Sequence, residues 1–129
     1  MGKGEAIVRV DISKYKFVDL PASDVEEFVE ALRNALGRDS KDFKEVLRFV
    51  RNFNDFYEYS RKKFKDYIAL PHKPSDYIRG AVVIDKIKLY KDSDGEPRVV
   101  LVINRSIDLD PIRKALEEVG YKVSIKKEV

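Results

Sequence analysis

Between Ser40 and Leu70 the chain reads SKDFKEVLRFVRNFNDFYEYSRKKFKDYIAL, a stretch that is helical in pattern but long for a single helix of a small body. Apolar side chains fall at Phe43, Val46, Val50, Phe53, Tyr57, Phe64 and Tyr67, spaced largely by threes and fours as one face of a 3.6-residue period requires. Ser60 is the weak position in that stripe. Unbroken, roughly 30 residues at about 1.5 Å each would span about 45 Å. A compact chain of this size has a radius of gyration of only about 14 Å. An unbroken helix would therefore project from the body and offer its stripe to another chain. Asn52, Asn54 and Asp55 are poor helix-interior residues, and Asp55 with Glu58 has the outline of a capping box. The pattern predicts a break between Asn52 and Asp55, with the aromatic residues folded back into a core.

The remaining chain is ordinary in size and unusual in charge. At 129 residues it is expected to form a single α+β domain, with a helical segment at about 22–70 inserted between a first strand and a C-terminal ββαβ unit. Cysteine is absent, which excludes disulfides, thiolate metal sites and cysteine nucleophiles. No apolar run approaches the roughly 18 residues of a membrane helix, and no signal-peptide core follows Met1, so a cytoplasmic location is expected. Charged residues make up 38%, nearly balanced at 26 basic to 23 acidic, with one methionine; Lys and Glu enrichment of this kind suits a thermophile. A net charge of +3 gives only a slight bias toward acidic partners, so charge placement has to decide.

Taken in order, Glu5 to Ile12 alternates Val8, Val10 and Ile12 against Ile7, Arg9 and Asp11, the pattern of a half-buried strand. Tyr15 to Leu20 reads as a short extended piece or a loop laid on the core, ended by Pro21. Ser23 with Glu26 forms a capping box, and Val25, Phe28, Val29, Leu32 and Leu36 make an amphipathic face up to Gly37, a C′ residue. Asp39 or Ser40 caps the long stretch, and Pro71 closes it. Pro71 to Gly80, PHKPSDYIRG, is the loop with the most unusual content. Ala81 to Tyr90 is a strand, Asp94-Gly95 a hairpin turn, and Arg98 to Asn104 a strand apolar on both faces, hence interior. Asp110 caps a helix with Pro111 at its first position, Gly120 stops it, and Tyr121 to Lys127 is the last strand.

This β-α-α-β-β-α-β order is the split βαβ order of the ferredoxin-like plait with an enlarged first helical crossover. The resemblance is to a fold rather than to a family. It implies that the first strand and Arg98 to Asn104 are parallel central neighbours, with the helices on one face of the sheet. If Val8, Val10, Ile87, Leu89, Val123 and Ile125 face those helices, the other face carries Ile7, Arg9, Lys86, Lys88, Tyr90, Val100, Val102, Lys122, Ser124 and Lys126. That is an apolar strip flanked by lysines. Asp85 breaks the alternation of its strand and marks a bulge, because a lone carboxylate on the core face would be costly.

Such a face suits three roles. Nucleic acid could lie across it with lysines on the phosphates, although the expected strands bring no aromatic except Tyr90 for stacking. A second copy of the chain could pair Ile7, Val100 and Val102 across a two-fold axis. Alternatively the extra helical segment or the Tyr15 to Leu20 piece could cover the strip. On the helix, Arg61, Lys62 and Lys65 form a basic face opposite the aromatic stripe, with Glu58 placed for ordinary surface ion pairs.

Enzymatic chemistry has little to draw on. With one histidine and no cysteine there is no triad to assemble, and the glycine patterns of nucleotide cofactors are absent. In the plait Asp11 would meet Asp108 and Asp110, a carboxylate group able to hold a divalent ion for phosphodiester hydrolysis. The leading expectation is a non-enzymatic protein without cofactor that contacts nucleic acid through phosphates, using Arg9, Lys86, Lys88, Tyr90, Lys122 and Lys126 on the sheet or Arg61, Lys62 and Lys65 on the helix. The alternative is a homodimeric interaction or adaptor module using the aromatic helix and the sheet strip.

Overall fold

The computed structural model describes residues 2–63 and 66–128. Its elements run β1 (Glu5–Val10), β2 (Lys16–Pro21), α1 (Ala22–Leu36), α2 (Lys41–Arg51), α3 (Phe53–Lys62), β3 (Ile68–Ala69), α4 (Pro74–Ile78), β4 (Ile84–Lys91), β5 (Pro97–Ile103), α5 (Leu109–Val119) and β6 (Lys122–Lys127). Among the described residues these make a mixed α+β fold, with six strands in one sheet of order β3-β4-β5-β2-β1-β6. No described helix is long and apolar enough to cross a membrane.

The long helical stretch breaks at Asn52, whose φ of −115° and ψ of 40° leave the helical region. Its side-chain Nδ2 donates to the Arg48 carbonyl at 2.9 Å, the carbonyl its own backbone N–H also reaches at 3.2 Å. A side chain that competes for the helix's own acceptors favours termination at this point. Helix α3 restarts at once at Phe53, ahead of Asp55, and Asn52 gives it no side-chain cap. The break returns the aromatic stripe to the body: Phe43, Val46, Phe49 and Phe53 are buried, and Phe49 meets Phe56 edge to face across the break at 4.3 Å. Phe64 and Lys65 lie outside the described residues.

The largest departure from expectation concerns residues 16–21. They neither loop over the sheet nor cover its strip but form β2, a central strand antiparallel to both β1 and β5. Asp11 makes the reversal possible. Its Oδ1 accepts the backbone N–H groups of Ser13 at 3.0 Å and Tyr15 at 2.9 Å, while Lys14 takes a left-handed φ of 73°. Strand β1 and Arg98 to Asn104 are therefore not parallel neighbours, since β2 separates them and the parallel partner of β1 is β6. The order is not that of the four-stranded plait. Because β2 and β4 both run antiparallel to β5, they are parallel to each other across it.

Placing β2 as a strand also changes how the helices begin. Pro21 still pairs with Arg98 in the sheet, and α1 starts directly after it, so Ser23 caps nothing and Glu26 reaches Arg51 instead. At the other end, Gly37 closes α1 as expected, with a left-handed φ of 68° and its N–H on the Arg33 and Asn34 carbonyls. Asp108, not Asp110, occupies the cap position of α5, and Asp110 pairs with Arg113 at 2.9 Å. The register shift between Ile84 and Lys86 is the bulge anticipated at Asp85.

One face of the sheet is covered. Val8, Val18, Leu20, Ile84, Ile87, Leu89, Val99, Leu101 and Ile103 join Phe28 and Leu32 of α1 and Ile112 and Leu116 of α5 in a continuous buried cluster. Ile125 is not part of it: on the edge strand β6 it stays 42% exposed, contrary to its expected core position. Among the described residues the other face carries the exposed Ile7, Arg9 and Lys86, with Val102 buried among its neighbours.

Candidate nucleic-acid interface

Cross-strand register builds this other face. Lys126 lies opposite Arg9, Arg9 opposite Phe17, Phe17 opposite Val102, Val102 opposite Lys86, and Lys86 opposite Ala69. These residues form one row across all six strands. A second row, one pleat away, contains Ile7 beside Ser124, and Asp19, Val100 and Lys88 on the next three strands. A third places Lys122 beside Glu5 at one edge and Pro21, Arg98 and Tyr90 toward the other. Of the sheet residues expected to bind, Arg9, Lys86, Lys88, Tyr90 and Lys126 share this surface, while Lys122 sits at its margin.

Aromatic side chains interleave with the cations. The Arg9 guanidinium lies 4.6 Å from the Phe17 ring centre and also meets Glu128 at 3.3 Å. Lys86 and Lys88 stand 4.9 and 6.0 Å from the Tyr67 ring, and Lys88 stands 5.8 Å from Tyr90. Contacts of this geometry are electrostatically attractive. Phe17 and Tyr67 bring to this face the aromatic rings that strands β1 and β5 lack. The signal for Phe17 was the alternation of Tyr15, Phe17 and Asp19 against Lys16, Val18 and Leu20, obscured because a lysine occupies the buried phase.

Asp19, the carboxylate in the second row, has partners on this face. Asp19 accepts from the Tyr90 hydroxyl and from Arg98 Nε at 3.0 Å, and Arg98 Nε also reaches the Tyr90 oxygen at 3.2 Å. Burial and this carboxylate together push the Tyr90 phenol above its ordinary pKa, so it stays protonated and oriented at neutral pH.

The helical cations form a different surface. Arg61 lies over the Tyr57 ring at 5.6 Å and Lys91 lies over the same ring at 5.0 Å, while Tyr57 packs against the core. Arg61 and Lys62 are exposed on α3. Lys65, the third member of that cluster, is outside the described residues.

The carboxylate pair does not form an open metal site. Asp11 and Asp108 do line one pocket, of about 400 Å³, but Lys16 lines it with them. The buried Lys16 ammonium donates to the carbonyls of Arg105 at 3.0 Å and of Ile107, and burial pulls its pKa below the ordinary lysine value. Asp108 and Asp11 act on that cation by charge. Among the described residues no group of three or more potential metal-binding side chains occurs.

The loop with unusual content has a structural explanation. Asp42, in the first turn of α2 and 1% exposed, accepts backbone N–H groups from Val83 at 2.7 Å and Ile84 at 3.2 Å, and its other oxygen lies 2.6 Å from His72 Nε2. On the far side of the imidazole, Nδ1 is 3.4 Å from the Tyr77 hydroxyl. Asp76, also buried, binds Lys41 at 2.6 Å, the Lys73 N–H at 2.8 Å and Arg79 at 2.9 Å. These bonds tie the loop and α4 to α2 and to the start of β4.

Lys41, the Lys73 N–H and Arg79 hold the Asp76 carboxyl well below the usual carboxylate range despite burial. A depressed folded-state pKa stabilises the fold above the unfolded value of about 3.9 and loses that contribution as pH falls toward the folded value. Urea unfolding of Asp76→Asn should show a smaller stability loss below about pH 4 than wild type, together with lower stability at neutral pH.

Comparison with family models, with curated proteins and with solved structures finds no match for this chain.

Proposed function

We propose that the chain binds single-stranded nucleic acid across the sheet face that bears Arg9 and Lys86, on what we read as a plait-type sheet extended by β1 and β3. The observation that carries this reading is the row Lys126, Arg9, Phe17, Val102 and Lys86, in which an aromatic ring lies between cations and beside the buried Val102. Phosphates would take the lysines, and bases would stack on Phe17 and Tyr67. Stacking is tolerant of base identity, so the strand as a whole would be held with little sequence preference. The role is binding, without catalysis or cofactor.

If Lys86, Lys88 and Lys126 each meet one phosphate, raising salt from about 50 to about 200 mM should weaken binding about 20-fold. Fluorescence anisotropy with a uridine oligomer of about ten nucleotides measures this. Lys86→Glu with Lys88→Glu should weaken binding at low salt and flatten the salt dependence, whereas Lys62→Glu should change neither. No binding at low salt would dismiss the reading.

A second reading rests on Ile7, which is 52% exposed in the second row of the same face. A second copy could cover it. A dimer mass by light scattering that persists in high salt, with no added mass from the oligomer, would favour that reading.

A further inference from the structure

Where β4 bulges, the same sheet face ends in a pocket of about 390 Å³ walled by Tyr15, Phe17 and Tyr77, with Val102, Asp85 and Lys86 also lining it. We propose that this pocket receives one unstacked base of the bound strand and selects guanine through the Asp85 carboxylate. The inference rests on the sheet-face reading and adds a specific subsite to it.

Four observations converge on this pocket. First, the register shift lets Asp85 and Lys86 line the same pocket while Ile84 and Ile87 both stay buried in the core. Second, the carboxylate is held in place: Asn104 Nδ2 donates to Asp85 Oδ2 at 3.0 Å, and the buried Asn104 is itself fixed by the Ser106 N–H at 3.0 Å and hydroxyl at 2.7 Å on its Oδ1. Third, Tyr77 is positioned by the loop, since its ring meets His72 edge to face at 5.5 Å and His72 is bound to Asp42. Fourth, apolar Val102 lies beneath the pocket and is only 1% exposed, so a bound base would meet the surrounding rings.

The chemistry selects among bases. An ionised carboxylate only accepts hydrogen bonds, and it can accept two side by side. Guanine alone presents two adjacent donors on its Watson–Crick edge, N1–H and the N2 amino group. Adenine and cytosine set an acceptor beside their amino donor, which would face a carboxylate oxygen and leave it unmatched. Three aromatic walls suit the flat faces of a base, and Lys86 at the same pocket can meet its phosphate. Asp11 and Asp85 line the pocket against one lysine, so an organic cation is the competing occupant that the test has to separate from a base.

The test compares two uridine oligomers that differ at one central position, guanine or adenine. Wild-type protein should bind the guanine oligomer about tenfold more tightly. Asp85→Asn should abolish or reverse the guanine preference, because a carboxamide sets a donor beside an acceptor and so matches adenine. Tyr77→Ala, at an exposed position, should also lower the preference. Equal wild-type affinity for both oligomers would overturn the guanine pocket and leave sheet-face binding in place. A preference that survives Asp85→Asn would overturn the role of the carboxylate. Binding to neither oligomer would dismiss the sheet-face reading and the pocket with it. In parallel, guanosine monophosphate should shift the NMR resonances of Tyr15, Phe17 and Tyr77; shifts with tetramethylammonium instead would identify an ammonium cage and overturn the proposal.

Discussion

Asp42→Ala should remove about 3 kcal/mol or more of folding stability, because each buried donor left without its acceptor costs about 1–3 kcal/mol. The carboxylate is the acceptor for two backbone N–H groups and the partner of His72, so its loss leaves three polar groups unmatched in a site that water does not reach. Against a total stability of about 5–15 kcal/mol for a domain of ordinary size, that is a large fraction. Urea unfolding followed by circular dichroism measures it. Asp42→Asn retains one acceptor oxygen for the Val83 and Ile84 N–H groups and should cost about half as much. His72→Ala should be milder than Asp42→Ala, because Asp42 would keep both backbone donors. A loss below about 1 kcal/mol for Asp42→Ala would show that the start of β4 does not depend on this carboxylate.

Phe17→Ala should weaken binding of a single-stranded oligomer by about 2 kcal/mol, roughly thirtyfold, if one base stacks on this ring. Phe17→Tyr should bind like wild type because it keeps the aromatic face, whereas Phe17→Leu keeps apolar area without the ring and should bind weakly. The salt dependence of Phe17→Ala should match wild type, since no phosphate contact is removed, while the Lys86 and Lys88 reversal should reduce it. That contrast separates stacking from charge. Unchanged affinity in Phe17→Ala would show that nucleic acid, if bound, does not use the central row.

Much of the local structure was written in residue order. The stripe from Phe43 to Tyr57, interrupted by Asn52, predicts two helices folded together, because a single helix would outrun the body and asparagine competes for helical carbonyls. Gly37 and Gly120 mark helix ends because each sits at a positive φ that suits a residue without Cβ. The doubly apolar run of β5 marks an interior strand, and the misfit of Asp85 marks the bulge. Each of these signals lies within a few residues of its effect.

What remained hidden depends on residues far apart in the chain. The place of β2 is set by hydrogen bonds to β1 on one side and β5 on the other, about 80 residues away in sequence, and Lys16 in the buried phase disguised its alternation. That lysine is tolerated because carbonyls of Arg105 and Ile107, from the loop before α5, receive its ammonium. The clasp of Asp42 by His72 and β4, and the meeting of Tyr15, Phe17 and Tyr77 around Asp85, are likewise products of strand order. Periodicity reports which face of an element is buried, because burial acts on each element separately. Which elements become neighbours, and so which side chains share a pocket, is decided by cross-strand pairing and packing between distant segments, and only the tertiary structure carries that information.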